Sequence, residues 1–419
     1  MTDYYCDMEA DFVDAAGTDN GANVYCGPGG VQAAIRGTAA ATALAAGDTL
    51  YLKGTAHLTK WVGVGTTNDH AAWACGDVVR DNGGGAVLWA GVIGQSQVGA
   101  SNKAFLVQLD IGYDFDSIND NKASGISNTT RADTDPTIVT VVCDGISVDT
   151  NSGSSAAGQI AFVGVNAAWA NDGTQAIFDA DGDATYCLFD ANMDYLYFEN
   201  LTCENATSDG IGQSGNPVKC MLINCRLNNN GGSGMGGYFQ YTKAFKTQFN
   251  SNSATGLYLA WNDTACVACE MIDNGADGWL QYTSGMAVAI GCLAHDNASE
   301  QMNHAGAAAG VVAVNCVFDG ENDTTSSDGL ITEAQSLIIG NRFTHNDGAG
   351  KYGLLADPAG YAGYEDYNVF FDNTSTVDTG FRGGANDVNA AEDGYVDRAT
   401  DDFNIATGKD IRSVAIELD

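Results

Sequence analysis

The feature that most restricts the fold of this chain is a repeat of 22–27 residues between positions 200 and 373. Eight segments align on one position, which holds asparagine in seven of them and Glu321 in the other. The asparagines are Asn205, Asn230, Asn252, Asn274, Asn297, Asn346 and Asn373. A repeat of this length indicates one structural unit stacked several times, because a single unit cannot bury its apolar surface alone.

Apolar residues alternate with period two before each aligned asparagine, which predicts a β-strand. A first predicted inward row holds Phe198, Ile223, Phe245, Val267, Ile290, Val314 and Ile339. A second holds Cys225, Cys269, Cys292 and Cys316, and a third holds Leu227, Phe249, Met271, Ala294, Phe318, Phe343 and Phe370. A glycine and an apolar residue then follow, as in Gly278-Trp279, which predicts a bend and another strand. The sequence therefore predicts an all-β parallel solenoid whose asparagines form a hydrogen-bonded ladder at one turn.

The other regions differ from the repeat in composition and pattern. Residues 1–55 contain a helical stripe from Val31 through an alanine run and then a strand, so we expect a helix that caps the open end of the solenoid. Residues 56–135 combine short apolar runs with glycine-rich turns and predict a small β insertion. The solenoid itself is expected over 136–385, and 386–419 are expected to form a C-terminal cap or an oligomer contact.

The net charge of −36 restricts the possible partners of the chain. Nucleic acid and anionic membranes require clustered Lys and Arg, so we expect neither as a partner. The N-terminus lacks a basic segment followed by an apolar one, and no apolar run is long enough to span a membrane. These observations predict that the protein is made in a cytoplasm and, if it is located outside the cell, leaves without a Sec signal peptide by another route such as cell lysis.

The repeating pattern N-C-x-F-x-x-N, together with the segment GDTLYLKGT at 47–55, resembles the right-handed parallel β-helix superfamily. This group includes pectate-lyase-like enzymes and phage tailspikes. The entry segment and FVGVNAAWANDGTQAIFDADG at 162–182 look more like the β-helix proteins of phage virions and environmental bacteria than like a classical secreted lyase. The resemblance implies polysaccharide cleavage, glycan binding or structural display on a virion, with a homo-trimer and other virion proteins as partners.

Two cysteine patterns suggest chemistry at first sight. Cys266 and Cys269 form a C-x-x-C motif, but residues three apart on a strand point to opposite faces, so we expect no shared metal ion. The cysteines of the second inward row are expected to be buried free thiols.

Acidic and histidine side chains near position 300 supply the candidate catalytic residues. Asp273 and Asp296 precede the ladder asparagines of neighbouring rungs, so their carboxylates are predicted to lie about 5 Å apart. Such a pair either shares a proton or holds a hard cation such as Ca²⁺. His295, Asp296, Glu300 and His304 are concentrated in one rung, where His295 or His304 is a candidate base and Glu300 or Asp296 a candidate acid. The simpler interpretation of Asp273 and Asp296 is that both are acids of solvent-exposed turns.

Trp261, in the segment YLAWND, is the candidate glycan-binding residue, because an exposed aromatic ring can stack on a sugar. The favoured function is a structural or glycan-binding β-helix protein of a virion surface, without catalysis and without a cofactor. A polysaccharide lyase or glycoside hydrolase is the alternative. A bacterial surface or filament protein whose acids bind Ca²⁺ is the second alternative.

Overall fold

The computed structural model describes residues 2–8, 44–57 and 152–390, apart from 181, 183–184, 191–192, 214–215, 262, 283–284, 306–309, 321–327, 347–350, 357–362 and 379. It also describes residue 31 and the backbone of short strands within 24–26, 61–148 and 395–405. The chain divides into two units, Met1–Gly232 and Ser233–Asp419. Each unit is built from parallel sheets in which every strand pairs with the equivalent strand of the next rung.

The N-terminal unit contains three parallel sheets and several antiparallel strands. The first sheet comprises Val24–Cys26, Asp3–Asp7, Thr49–Lys53, Ile160–Gly164, Leu196–Glu199 and Met221–Ile223. The second comprises Thr55–His57, Ala176–Asp179, Leu201–Glu204 and Arg226–Asn228, and the third Ile146–Val148, Leu188–Asp190 and Ile211–Gln213. The antiparallel strands are Trp61–Val64 with Ile138–Val141, and Val78–Val79, Val87–Ala90 and Phe105–Gln108. The predicted N-terminal capping helix lies almost wholly outside the described residues.

The C-terminal unit contains three parallel sheets, called here sheets 1, 2 and 3. Sheet 1 comprises Lys243–Phe245, Thr264–Val267, Ala287–Ile290, Val311–Val314, Leu337–Ile339, Gly363–Asp366 and Phe381–Gly383. Sheet 2 comprises Glu270–Ile272, Leu293–His295, Val317–Asp319, Arg342–Thr344, Val369–Phe371 and Val388–Asn389. Sheet 3 comprises Met235–Gly237, Leu257–Leu259, Trp279–Gln281, Met302–His304, Leu330–Thr332, Tyr352–Ala356 and Ser375–Val377.

Left-handed residues make the corners of each rung. In the rung from Thr264 to Gln281, Ala268 has φ 52° between the strands of sheets 1 and 2, and Asp273 has φ 53° after the strand of sheet 2. Asparagine, aspartate or glycine occupies most equivalent corners, because these residues enter the left-handed region at low cost. The repeated Asn, Asp and Gly of the sequence are therefore explained by the need to turn the chain twice at fixed points.

The third inward row is buried as the alternation predicted. Phe318, Phe343 and Phe370 stack in successive rungs with ring centroids 5.3 and 5.2 Å apart and nearly parallel planes. The spacing of paired strands imposes this stack, since identical residues in register lie one strand spacing apart.

The first predicted inward row is wrong for the C-terminal unit. Val267, Ile290, Val314 and Ile339 are half-exposed on the outer side of sheet 1. The residues one position earlier, Cys266, Ala289, Ala313 and Ile338, are fully buried instead. The reason is the left-handed corner at positions such as Ala268, which reverses the alternation, so period two cannot be counted through it.

A hairpin near the C-terminus contacts the outer side of sheet 2. Tyr395–Asp397 pairs antiparallel with Asp402–Ile405. The hydroxyl of Tyr395 lies 3.0 Å from Thr344 Oγ1, and the guanidinium of Arg342 lies 4.0 Å from the centre of the Tyr395 ring. No helix among the described residues is both long and apolar enough to cross a membrane.

Candidate functional site

The asparagines of the repeat form a hydrogen-bonded ladder in the C-terminal unit. The backbone N–H and the side-chain amide of Asn252 both donate to Oδ1 of Asn274, at 3.1 and 3.0 Å. Asn274 donates in the same way to Asn297, at 3.1 and 2.7 Å. The amides of Asn274 and Asn297 also donate to the carbonyls of Phe249 and Met271 at 2.9 Å. Each buried turn thus satisfies its polar groups from the neighbouring rung.

Gln301 replaces the next asparagine of this ladder. Its Oε1 accepts the side-chain N–H of Asn297 at 2.7 Å and the backbone N–H of Asn297 at 3.4 Å. Gln301 pairs in register with Gly278 and Gly329, and a Cβ atom at Gly278 would lie 2.7 Å from the amide nitrogen of Asn297. A side chain at the glycine position therefore points at the ladder. The glutamine supplies to Asn297 the acceptor that Asn252 and Asn274 receive from the asparagine of the next rung. Glu321, which stands at the aligned asparagine position in the sequence, lies outside the described residues.

The remaining predicted ladder residues fall into two groups. Asn346 donates to Oδ1 of Asn373 at 3.1 and 2.8 Å, and the backbone N–H of Ala206 donates to Oδ1 of Asn230 at 3.1 Å. Asn205 is one residue out of register, since Glu204 pairs with Asn228 and places Ala206 beside Asn230. Asn205 instead takes a left-handed corner with φ 60° and donates to Asp179 at 2.9 Å.

Asp273 and Asp296 occupy equivalent left-handed corners of adjacent rungs, with φ of 53° and 55°. Asp273 is exposed, and its backbone N–H donates to the carbonyl of His295. The carboxylate of Asp296 lies 3.0 Å from Nδ1 of the buried His295. The two aspartates therefore serve the corner geometry, and Asp296 additionally orients a histidine.

His304 lies in the interior, in the inward row that also contains Gln281 and Thr332. Its Nε2 makes a 2.8 Å hydrogen bond to the carbonyl oxygen of Gly285, and burial lowers the pKa of the imidazole. Glu300 lies instead in the turn before the sheet 3 strand, so the structure separates these two predicted partners.

The titratable side chains that gather at Glu300 come from four successive rungs. Asp277, Glu300 and Asp328 each stand directly before the glycine position of their rung. The backbone N–H of Glu300 donates to Asp277 at 3.1 Å, and Ser299 donates to the Glu300 carboxylate. Lys351 Nζ lies 2.9 Å from Asp328 and 3.4 Å from Glu300. This acid–lysine cluster, Asp277, Glu300, Asp328 and Lys351, is a compact titratable group with only Glu300 and Lys351 partly open to solvent.

Burial and a carboxyl–carboxylate hydrogen bond to Glu300 raise the pKa of Asp277 to about 7. Burial opposes ionisation of Glu300, but hydrogen bonds from Asp277 and Ser299 and the charge of Lys351 outweigh it and lower its pKa. Burial raises the pKa of Asp328. The pair therefore holds its proton on Asp277 and its negative charge on Glu300 near neutral pH.

Sequence reasoning missed Asp277 and Lys351. The signal for Asp277 was visible in the alignment, because Asp277-Gly278, Glu300-Gln301 and Asp328-Gly329 repeat an acid before the glycine position. No equivalent signal marks Lys351, which lies one position earlier in its rung, two residues before Gly353.

Exposed aromatic side chains cluster near the end of the first three strands of sheet 3. Tyr238, Trp261 and Tyr282 are 48%, 43% and 58% exposed, and the rings of Tyr238 and Trp261 are 6.2 Å apart. Strand pairing places Tyr238 and Tyr282 at the same register position two strands apart. Burial, followed by the proximity of Tyr238 and Tyr282, raises the pKa of Tyr258. These four residues are called the aromatic cluster below; Trp279, by contrast, is buried.

Cys266 and Cys269 both point into the interior, contrary to the expectation that they face opposite ways. The left-handed residue Ala268 between them reverses the alternation. Cys225, Cys269, Cys292 and Cys316 are buried free thiols, as expected. Within the described ranges, no group of three or more His, Cys, Asp or Glu side chains is arranged to hold a metal ion.

Comparison with known proteins identifies the fold. No protein-family model matches the chain, and no curated protein matches it in sequence. Among solved structures, pectate lyase Pel9A is similar over 98% of this chain and 90% of its own, with a TM-score of 0.53 and 12% identity. The A-module of the mannuronan C-5 epimerase AlgE4 of Azotobacter vinelandii matches 92% of this chain and 100% of its own, with a TM-score of 0.40 and 13% identity. The chain is a right-handed parallel β-helix protein, as the sequence predicted.

Proposed function

We propose that this protein binds a polysaccharide through the aromatic cluster of its C-terminal unit. The observation that carries the proposal is the exposure of Tyr238, Trp261 and Tyr282 on consecutive rungs. Large aromatic rings are costly to leave in water, and the apolar faces of sugar rings stack on them.

The spacing of the cluster suits an extended chain of sugars. Tyr238 and Tyr282 are two strand spacings apart, or about 10 Å. Trp261 belongs to the rung between them, so rings are presented along the stacking direction. The excess of acids over bases favours an uncharged glycan, because a polyanionic one would be repelled.

Binding to immobilised and soluble neutral polysaccharides tests this proposal. Trp261→Ala and Tyr282→Ala are each expected to weaken binding about tenfold or more, while Tyr367→Ala, another exposed aromatic outside the cluster, leaves it unchanged. Equal binding by all three variants would overturn the assignment of the site.

Glycan cleavage at the acid–lysine cluster is the second candidate function, and one observation favours it. Asp277 keeps a proton near neutral pH beside the ionised Glu300, which is the pairing required of a general acid and a general base. Their hydrogen-bonded contact is closer than the 5–5.5 Å of a retaining glycosidase, so the pair would act as a proton-sharing dyad.

Glu300, the partly exposed member of the dyad, would face the glycan and accept a proton from water or from a sugar carbon, and the proton held by the buried Asp277 would pass through the dyad to the departing sugar oxygen. Release of reducing ends detects both hydrolysis and elimination, and a separate measurement of unsaturated products identifies elimination. We expect Asp277→Asn and Glu300→Gln to abolish release and Asp273→Asn to leave it intact. Undiminished release in the first two variants would exclude this site.

Location on a virion surface, other virion proteins as partners and a homo-trimer rest on the family resemblance and stay predictions. Ca²⁺ binding by the acids also stays a prediction. Finding the chain in purified virions would support the virion location. A melting temperature that responds to Ca²⁺ and to a chelator would support Ca²⁺ binding.

A further inference from the structure

We infer that Asn303 determines which glycans this protein accepts, as the hydrogen-bonding side chain of a surface that extends from the aromatic cluster across the outer side of sheet 3. The inference rests on the proposed binding of a polysaccharide by the aromatic cluster and names the class of sugar that fits this surface. That class is a neutral glycan whose neighbouring hydroxyl groups are free of substituents. Asn303 is the central residue of the strand Met302–His304.

The outward residues of sheet 3 form a continuous row. In the strand Met302–His304 the first and last residues are buried and Asn303 is half-exposed, and the strands on either side follow the same pattern. Strand pairing places the outward residues side by side along the stacking direction. The row consists of Tyr258, Leu280, Asn303, Ile331 and Leu355. Because Tyr258 belongs to the aromatic cluster, the row leads from that cluster to Asn303.

Asn303 lies between the side chains proposed for glycan binding and those proposed for cleavage. Tyr282 follows the strand next to that of Asn303, two residues after Leu280, the register partner of Asn303. The Cα atoms of Tyr282 and Asn303 are therefore about 8 Å apart, and that of Glu300, three residues before Asn303, is about 10 Å away. A glycan chain that stacks on Tyr282 and continues toward Glu300 thus passes over Leu280 and Asn303.

The fold gives no reason for an asparagine at this position. Asparagine is disfavoured in strands, and Asn274 and Asn315 show two of its structural roles here, in the ladder and at a left-handed corner. Asn303 lies in an extended strand, and its carboxamide makes no hydrogen bond to any residue that the structure describes. Its neighbours in the row, Leu280 and Ile331, are apolar. A residue that departs from the local pattern without a structural role is a candidate for function.

The carboxamide of Asn303 suits a pair of neighbouring hydroxyl groups. Its nitrogen donates and its oxygen accepts, so it can bind one hydroxyl as a donor and the next as an acceptor. Leu280 and Ile331 on either side offer apolar surface to the C–H groups of a sugar ring. A methyl or acetyl group on either hydroxyl removes a hydrogen-bond donor and adds bulk above the sheet. The surface is therefore expected to select unsubstituted glycans.

Calorimetric titration of the full chain with oligosaccharides of increasing length tests the inference. The probes are the disaccharides to octasaccharides of cellulose, mannan, xylan and dextran, which are neutral. We expect longer oligosaccharides, which extend from the aromatic cluster past Asn303, to bind more tightly than the shortest one that binds measurably. Asn303→Leu keeps the size of the side chain but removes the carboxamide, so it should weaken binding of the long oligosaccharides about tenfold and leave the shortest unchanged.

Two comparisons separate the role of Asn303 from general effects of substitution. Asn389→Leu makes the same change at an exposed asparagine in the sheet 2 strand Val388–Asn389 and should leave every affinity unchanged. The unchanged protein should prefer the long oligosaccharides to their O-methylated forms. Asn303→Ala, which leaves room for a methyl group, should reduce this preference about tenfold and should weaken binding of the long oligosaccharides as Asn303→Leu does.

Equal binding of all oligosaccharides by Asn303→Leu and the unchanged protein would overturn the inference and leave the aromatic cluster as the whole site. Weaker binding of the shortest oligosaccharide by Asn303→Leu would also overturn it, because the substitution would then be acting on the aromatic cluster itself. Failure of the unchanged protein to bind any probe would instead overturn the proposed function, on which the inference depends.

Discussion

Gln301 accepts two hydrogen bonds from Asn297, through the side-chain amide at 2.7 Å and the backbone N–H at 3.4 Å. The carboxamide arrives from the glycine position of the same rung, whereas Asn252 and Asn274 are each satisfied by an asparagine of the next rung. Two departures from the repeat, Gln301 in place of glycine and Glu321 in place of asparagine, thus belong to one structural solution. Gln301 therefore maintains the ladder from a position where the repeat has glycine.

Gln301→Gly should lower the free energy of unfolding by about 1–3 kcal/mol, because the buried amide of Asn297 loses its acceptor. Urea denaturation measures this change. Adding Glu321→Asn to Gln301→Gly should recover most of the loss, since the glycine makes room for the restored asparagine. Glu321→Asn alone should not stabilise the protein, because Gln301 occupies the space. A double variant no more stable than Gln301→Gly would contradict this account.

The carboxyls of Asp277 and Glu365 should contribute stability that is lost as the pH rises from about 4 to about 8, whereas the lowered pKa of the buried His304 gives a smaller opposite contribution below pH 6.5. Asp277 has its pKa raised from 3.8 to about 7 by burial and the contact with Glu300. Glu365 has its pKa raised from 4.5 to about 8 by burial and the contact with Asp387. A raised carboxyl pKa means that the folded state holds a proton that the unfolded state has already released, so stability decreases through this interval and levels off above it.

Melting temperatures across this interval, measured by calorimetry, test the prediction. Asp277→Asn should flatten part of the pH dependence and raise the melting temperature at pH 8, because the amide can still donate to Glu300 without ionising. Asp273→Asn, at an exposed corner, is the matched control and should follow the unchanged protein. A pH profile unaffected by Asp277→Asn would show that this carboxyl ionises normally.

The features of the fold that repeat along the chain were predictable from sequence, and the features set at its corners were not. The row of Phe318, Phe343 and Phe370 follows directly from the repeat, because parallel pairing brings equivalent residues together. The outward position of Val267 was mispredicted because the left-handed Ala268 reverses the alternation. Alanine seldom adopts this conformation, so its presence in the sequence gives no sign of a corner. Asn205 was misaligned because its rung is shifted by one residue.

The candidate site was predictable in part. Glu300 was chosen for its position in an irregular rung, and it does lie in a titratable cluster. Its partners Asp277 and Lys351 come from one rung before it and two rungs after it, so their proximity depends on register and loop length rather than on local sequence. His304, which was grouped with Glu300 by sequence proximity, is buried in an inward row of sheet 3, and sequence proximity does not reveal which residues of a strand point inward.

Phe343→Ala should reduce the free energy of unfolding by about 3–5 kcal/mol, because it leaves a cavity between Phe318 and Phe370. Phe343→Leu retains most of the volume and should cost about 1.5 kcal/mol or less. Chemical denaturation of both variants provides the comparison. Similar values for the two would show that the neighbouring rungs collapse around the smaller side chain.

The thiols of Cys266, Cys269, Cys292 and Cys316 should resist alkylation in the native protein. All four are buried, and burial is the first cause that raises the pKa of Cys266 and Cys316. Hydrogen bonds with Cys269 and Cys316 lower the pKa of Cys292 instead, so for this residue the protection comes from burial, which excludes the reagent. Brief treatment with an alkylating reagent, followed by mass spectrometry of the peptides that contain them, should detect no label, whereas denaturation before treatment should label all four. Native labelling of the 266–269 peptide at the rate of the denatured chain would mean that the corner at Ala268 opens readily, and would contradict the packing described for this rung.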